Sequence, residues 1–534
     1  MKRRQFIVTV GASAITTGLG GCATPDPKMP GRRPNILFII VDQHRADCIG
    51  AYGNREVRTP HLDALAAEGV RYANSFCAYP VCTPSRYSLF SGLYVHEHGG
   101  SSNRSTLRAD IDTFPRILRD AGYNTAAVGK MHFTPTYLDI GFQQMFLAEQ
   151  DGEGRWDDDY HRELMQRGLI DINDLEDQRR EYRARAREEY WETFGALPTN
   201  LPADMHSTEW IGRKSIEILE EWGGDDANLL VTSFVKPHHP FDAVLADADK
   251  YDPAALSLLP GWTSECFAHD LAYNHGYLPN KDLTEERLRR VMAYYYATIE
   301  QIDRQVGEMI AVLKRKGLYE NTMIVYLSDH GEYMGHHHML LKGNYMYDAL
   351  ARVPLIIRYP RGAHGGEVRD GLVSLIDLAP TVLRQADCVP GAQMHGINLV
   401  SETKGRDTIF AASGRGQTMV RTRAHKLMMS ETPKKTLLYD LERDPNELND
   451  VYGEAEYAPV LESLKRQVSQ WGGELTFREA HLDLDAPKIS GANVPPGDLS
   501  HRQAAIDYYE KAWDAERFQR ASLGAFHSRG NAPG

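Results

Sequence analysis

The chain has 534 residues, 42% hydrophobic and 25% charged, with a formal net charge of −13. That length buries a large core and accommodates a main domain plus a smaller one. The acidic balance excludes a general nucleic-acid binder, whose footprint is basic, and means that any anion site must be a local basic patch.

Met1-Lys2-Arg3-Arg4-Gln5-Phe6-Ile7 opens an apolar, small-residue run that ends at Leu19-Gly20-Gly21-Cys22. Charge, a short apolar stretch and then small residues describe an export signal. The run is too short and too glycine-rich for a dependable membrane span. The Arg3-Arg4-x-Phe6 start resembles a twin-arginine signal. Leu19 to Cys22 resembles a bacterial lipobox, which implies a lipoprotein of the periplasm or cell envelope lipidated at Cys22, its lipid the only membrane contact. A plain cleaved signal with an incidental cysteine is the alternative. Cys48, Cys77, Cys266 and Cys388 show no zinc spacing, and no disulfide pairing follows from the sequence.

After a Pro/Gly-rich linker, Asn35 to Val41 is a nearly continuous apolar run, the pattern of a strand buried on both faces of a parallel sheet. It ends on Asp42-Gln43, and ligands of open α/β sheets bind beyond such strand ends. A helix is predicted over Pro60 to Gly69 with Thr59 as its cap. Cys82-Thr83-Pro84-Ser85-Arg86 then forms a stiff turn in which Pro84 fixes the backbone. Arg86 adds a fork-shaped cation suited to an oxyanion. A helix through Tyr94 would aim its N-terminal N–H groups at an anion. Asn124 to Val128 reads as a second strand, delivering Lys130 and His132.

Residues 151–205 read as an insertion, and Glu176 to Glu192 as a solvated helix rich in opposite charges. Alternatively, its arginines line a substrate entrance. The strand Leu229 to Val235 ends at Lys236-Pro237-His238-His239-Pro240, where two prolines hold the histidines in an extended loop. Asp282-Leu283-Thr284-Glu285 predicts a capping box. Ile299, Ile302, Val306, Ile310 and Leu313 then recur on one helical face. The strand Thr322 to Leu327 delivers Asp329-His330. His336-His337-His338 invites a zinc reading, but three adjacent side chains do not readily face one ion. From about residue 400, short strands joined by turns predict an antiparallel sheet with a helix ending near Trp471. The tail beyond residue 486 holds one helix from Ser500 and a mobile finish.

The run Cys82-Thr83-Pro84-Ser85-Arg86, continuing to Ser91-Gly92, resembles the signature of the type I sulfatases, which usually reads Thr-Gly at its end. Gly129-Lys130-Met131-His132, Pro237-His238-His239-Pro240 and the Gly335 to Lys342 loop are similar to further family elements, in the family's order, over roughly residues 34 to 471. The resemblance implies an alkaline phosphatase-like α/β fold. In it a mixed, mostly parallel sheet is sandwiched by helices, and a smaller C-terminal antiparallel sheet carries one helix. The implied units are 1–33 (export signal, lipobox and linker), 34–400 (catalytic), 401–485 (C-terminal subdomain) and 486–534 (helix and tail).

The resemblance also implies that Cys82 is converted to formylglycine (3-oxoalanine) by a maturating enzyme. Asp42, Gln43, Asp329, His330 and residue 82 would hold one divalent cation. Calcium is the first choice, and because Gln43 and His330 replace the family's more usual Asp and Asn, Mg²⁺ or Mn²⁺ stays open. Lys130 and Lys342 would neutralise sulfate oxygens, and His238, with Lys342, would protonate the leaving oxygen. His132 would take a proton from the second hydroxyl of the hydrate, and Arg86 would hold residue 82. The expected activity is hydrolysis of sulfate from a sulfated sugar or polysaccharide. A phosphonate monoester or phosphodiester hydrolase on the same scaffold, and a non-catalytic lipoprotein that binds sulfated glycans, are the alternatives.

Overall fold

The computed structural model describes residues 33–151, 154–274, 276, 278–414, 416–472, 481–490 and 502–515. The export segment with Cys22 lies outside the described residues. Among these residues thirteen strands follow in chain order. β1 (Asn35–Asp42), β2 (Val70–Phe76), β3 (Asn124–Gly129), β4 (Gln144–Leu147) and β5 (Asn228–Pro237) come first. β6 (Thr322–Ser328), β7 (Arg352–Val353), β8 (Leu355–Arg358) and β9 (Val368–Ser374) complete a nine-stranded sheet. Its order is β4-β3-β5-β1-β6-β8-β2-β7, with β9 paired to β2. The block from β4 through β6 is parallel, and β8 joins β6 antiparallel. This is the expected mixed, mostly parallel sheet between helical layers.

Every residue of β1 is buried, as its unbroken apolar run requires of a central parallel strand. Alternate side chains serve two cores: Ile36, Phe38 and Ile40 face one layer, and Leu37, Ile39 and Val41 the other. The long helix Glu285–Arg315 lays Ile302, Val306, Ile310 and Leu313 on the second face, while Ile299 falls in a neighbouring cluster. Its cap is Thr284, whose side chain accepts from Arg287 N, so the expected Asp282-to-Glu285 box sits two residues too early. Thr59 does cap Pro60–Glu68 by position but not through its hydroxyl. That hydroxyl accepts from Gly50 N and donates to Asp63.

β10 (Ile409–Ser413), β11 (Gln417–Arg421), β12 (His425–Glu431) and β13 (Lys434–Asp440) form a separate antiparallel meander, backed by the helix Ala458–Gly472. Asp348 of the main body ties it in through Arg421 and buried Lys426, and its backbone N–H donates to Glu447 of the subdomain.

The insertion differs from expectation. Instead of one solvated helix it makes short helices, Ile172–Gln178, Arg180–Arg183 and Glu188–Glu192, and the acids of the first are buried. The cause is a tail helix over 502–515, whose Tyr509 and Trp513 share a core with Trp156, Ile172, Leu175 and Tyr182. Buried acids there are paired: Asp174 with Arg155, Glu176 with Arg187, and Asp157 with Arg502. No helix among the described residues is long and apolar enough to cross a membrane. Cys48, Cys77, Cys82 and Cys266 are free thiols in this structure.

Candidate active site

Four adjacent parallel strands, β3, β5, β1 and β6, point their carboxyl ends at one place. β3 delivers Lys130, β5 delivers His238, β1 ends in Asp42 and Gln43, and β6 gives way to Asp329 and His330. At the turn out of β3, Gly129 has φ of 95°, and a Cβ there would lie 2.0 Å from Ser233 O, so only glycine lets the chain leave the sheet beside β5.

Cys82 enters from the opposite side as the first residue of the helix Cys82–Ser91. Val81 supplies no side-chain cap, but Asn103 Oδ1 accepts from Thr83 N, Pro84 has no N–H and Ser85 N bonds Val81 O, so the helix offers negative charge its dipole rather than a row of free N–H groups. Thr83 Oγ1 donates to His132 O, and Ser85 Oγ to Asp329 O, which fixes the turn against the strand ends. Gly92 closes the helix in the left-handed region at φ 67°.

Asp42, Cys82, Asp329 and His330 each offer one ligand atom, all within 4.8 Å of one another and all buried. His330 Nδ1 lies 2.9 Å from Gly331 O, which turns Nε2 toward Cys82 Sγ at 3.3 Å. Gln43 Oε1 turns to the same point, its Nε2 being taken by Glu332. The Lys342 ammonium sits 2.9 Å from Gln43 Oε1, 3.1 Å from Cys82 Sγ and 3.2 Å from His330 Nε2. A cation bedded among acceptors beside two buried carboxylates fits the chemistry of a hard divalent ion.

The basic side chains divide into two sets. Lys130 Nζ pairs with Asp42 Oδ2 at 2.8 Å and donates to Gln150 Oε1 at 3.0 Å. Arg86 is fully buried and commits its donors to protein: Nε to Asp329 Oδ2, Nη2 to Asp42 Oδ2, and Nη1 to Ser233 Oγ and Lys130 O. It braces the two carboxylates rather than facing a substrate oxyanion, because those acceptors surround it on every side.

Electrostatics follow from this crowding. Burial and Cys82 push the Asp42 carboxyl up, but Lys130, His238 and Lys342 hold it below its ordinary value. For Asp329, burial and Asp42 win over Arg86, and its pKa is raised. Burial opposes ionisation of Cys82, yet Lys342, Lys130 and His330 pull its pKa well below that of a free thiol. Burial, then Lys342, His239 and Lys130, depress His238, whose Nδ1 lies 2.6 Å from His239 O. His132 is held at φ 58°, and its backbone N–H is held by the Glu149 carboxylate. Its Nδ1 has no hydrogen-bond partner among the described residues.

The structure thus gathers Asp42, Gln43, Cys82, Arg86, Lys130, His238, Asp329, His330 and Lys342 at one sheet edge, with His132 held beside them through Thr83. The histidine run does not form a zinc site. His337 bonds Asp270 and Glu447 O, His338 bonds Thr263 O and Asn280 O, and His336 stacks on His337. His269, Asp270 and His337 are close enough to hold an ion, but both His337 nitrogens are already engaged.

The sulfatase family model matches residues 34–388, and a model of the N-sulphoglucosamine sulphohydrolase C-terminal region matches 335–473. The chain belongs to the sulfatase family. It is similar to the N-acetylglucosamine-6-O-sulfatase of Bacteroides thetaiotaomicron, 27% identical with 85% of this chain and 88% of the relative covered. The arylsulfatase of Clostridium perfringens is 29% identical, with 81% and 93% covered. Among solved structures, the phosphonate monoester hydrolase of Agrobacterium radiobacter aligns with a TM-score of 0.68 at 25% identity, covering 82% of this chain and 95% of that one. The sulfatase is accordingly a sulfuric ester hydrolase with an alkaline phosphatase-like fold, and a non-catalytic binding protein is set aside.

Some of its site residues carried no usable sequence signal. Glu149 and Gln150 follow β4, only four residues long, yet they hold His132 and Lys130. Ser233 lies inside β5 and Glu332 directly after His330 and Gly331; the latter accepts from Gln43, Met334 N and Leu341 N. Glu332 was legible only as an acid adjoining the Asp329-His330 pair.

Proposed function

We infer that this sulfatase releases sulfate from a sulfated sugar or polysaccharide, with Cys82 matured to formylglycine and a divalent cation held by Asp42, Gln43, Asp329 and His330. The observation that carries this reading is the convergence of Lys130, Lys342, His330 and Asp42 on residue 82. When present, the aldehyde hydrate supplies the nucleophile and the cation draws charge from the sulfate oxygens. Calcium is the ion we assign, on the oxygen-rich ligand set.

Lys342 is the ammonium closest to residue 82 and would bind a sulfate oxygen there, with Lys130 adding a second positive charge from the Asp42 side. Such fixed charges act strongly in a water-excluded site. His238 Nε2 carries the lone pair of the neutral ring and takes up a proton from solvent as the sulfate anion enters and offsets the cations that depress its pKa. It then hands that proton to the leaving oxygen as the S–O bond breaks. His132, whose Nδ1 has no partner among the described residues, would take the proton of the hydrate's second hydroxyl there. Arg86 keeps Asp42 and Asp329 aligned beneath residue 82.

A sugar substrate is supported by the N-acetylglucosamine-6-O-sulfatase relative and by a cavity of about 330 Å³ beside His132. Its walls include Arg104, Arg179, Phe133 and Leu484 together with the acids Glu149 and Asp151, so the two arginines are the groups there suited to a sulfated ring. The first residues make the protein an exported lipoprotein anchored at Cys22, matured before export by a formylglycine-generating enzyme. Functionally, residues 34–400 carry the catalytic unit and 401–485 the C-terminal subdomain.

Mass spectrometry of the tryptic peptide Tyr72 to Arg86, from protein made with its maturation machinery, tests the nucleophile. An aldehyde at position 82 is expected, and an unmodified thiol there would refute the mechanism. Sulfate release from sulfated monosaccharides, set against turnover of a phenyl phosphonate, tests the substrate; faster phosphonate turnover would transfer the chain to the phosphonate hydrolases.

A further inference from the structure

The insertion reaches the chemistry through Gln150, which Asp174 holds beside Lys130, and more directly through His239. Its helix Ile172–Gln178 presents Asp177, a buried carboxylate, to His239 Nδ1 at 2.5 Å, and Tyr190 donates to the same carboxylate. The His239 ring stacks on His238 with centroids 4.1 Å apart and planes at 25°. The His239 carbonyl takes the His238 Nδ1 proton at 2.6 Å and also accepts from Gln178 Nε2 at 2.9 Å and Gln150 Nε2 at 3.3 Å. His238 is therefore held through one neighbour on two counts, ring face and Nδ1, and that neighbour is held by the insertion.

We propose that Asp177 and His239 are a positioning pair that fixes the direction of His238 Nε2 toward the leaving oxygen. This rests on the sulfatase reading and on His238 as the proton donor. An imidazole that only stacks is free to turn about its χ2 axis. The Nδ1–H···O=C bond stops that rotation only while His239 stays in place, and the Asp177 bond keeps it there. Proton transfer to a leaving oxygen is effective only in hydrogen-bonding geometry, so the insertion controls the step without touching substrate. The pair is made of one residue from the strand β5 loop and one from an element 62 residues earlier, which is why neither is conspicuous alone.

The test is a leaving-group series of substituted phenyl sulfates, 4-nitrophenyl to 4-methoxyphenyl, on matured Asp177→Asn, His239→Phe and His238→Ala proteins. Good leaving groups need no proton and poor ones do. Asp177→Asn and His239→Phe are expected to lose roughly 10- to 100-fold in kcat on the poorest leaving group, with little loss on 4-nitrophenyl sulfate and KM unchanged. Asp177→Glu should restore part of the loss. Equal losses across the series, or none, would overturn the proposal, and the His239→Phe protein, which keeps the stack, answers the question if Asp177→Asn does not fold. If His238→Ala itself shows no steeper leaving-group dependence, the assignment of His238 as donor falls and the pair's task with it, while the sulfatase activity stands.

Discussion

Arg86 Nε donates to Asp329 Oδ2 at 2.9 Å with both side chains wholly out of solvent. The same guanidinium also reaches Asp42 at 3.2 Å. Two carboxylates on different strands are thus clamped by one fork. Replacing Arg86 by alanine leaves both acids buried without that partner, and breaking a buried pair costs about 3–5 kcal/mol. Arg86→Ala should lower the denaturant midpoint accordingly, and Arg86→Lys should recover only part, because an ammonium cannot bridge two acids in a planar fork. An unchanged midpoint for the alanine variant would show that the clamp carries no stability.

Lys342 is partly exposed and its ammonium is bonded, among the described residues, to site atoms, so its loss should be felt in turnover and not in folding. Removing one preorganised donor typically costs about 10²–10³ in rate. Lys342→Ala should lose that much in kcat/KM with its melting temperature unmoved. Full activity would remove Lys342 from the site.

The Asp42–Asp329 pair also makes a stability prediction about the cation. Whatever binds the folded state alone stabilises it, by about 2.7 kcal/mol at a free concentration 100 times Kd. Thermal melting with calcium titrated into chelator-treated protein should rise, and the rise should shrink sharply in Asp329→Asn. A melting temperature insensitive to Ca²⁺, Mg²⁺ and Mn²⁺ alike would exclude the ligand set.

Much of this site is written plainly in the chain. β1, β3, β5 and β6 are apolar runs that stop on charged or polar residues, and a parallel sheet has to place those residues at one edge. What escaped was set by contacts between distant segments. β2 reads Val-Arg-Tyr-Ala-Asn-Ser-Phe, too polar to announce itself, because it pairs near the sheet margin with half-buried positions. The acids of the insertion look solvated from composition, yet Glu176 lies under Trp513, 337 residues away, and no local pattern encodes that cover. Arg86 was legible as a cation but not in its direction, since its acceptors come from β1, β5 and the exits of β3 and β6.

His98 gives the protein an acid-sensitive element remote from the cation cluster. Its Nδ1 accepts from Gly100 N at 3.0 Å and its Nε2 meets Ser88 Oγ at 2.9 Å on the helix that begins at Cys82. Burial first, then His96 and Arg108, depress its pKa from 6.5 to about 3. The folded state therefore binds this proton more weakly than the unfolded chain. The contribution to stability is complete above pH 6.5 and is lost progressively down to about pH 3. Between pH 7 and pH 5 the loss from this one group is about 2 kcal/mol. His98→Gln should flatten the acid limb of the melting-temperature profile over that interval, and an unaltered limb would mean that His98 is not depressed.

The tail helix should matter to turnover even though it lies far from residue 82. Trp513 is fully buried, meets Tyr182 edge-on at 5.3 Å, and sends Nε1–H to Glu176 Oε1 at 3.3 Å. Glu176 neighbours Asp177, so the packing under one residue sets the position of the next. A buried Trp-to-Ala change costs about 3–5 kcal/mol, and here the cost falls on the small core shared by the insertion and the tail. Trp513→Ala should therefore open the insertion to limited proteolysis between Arg179 and Arg187 while leaving the main-domain melting transition in place. If the insertion fixes His238 through Asp177, the same variant must also show the steepened leaving-group dependence of Asp177→Asn. Proteolytic opening without that kinetic signature would separate the tail's structural contribution from catalysis.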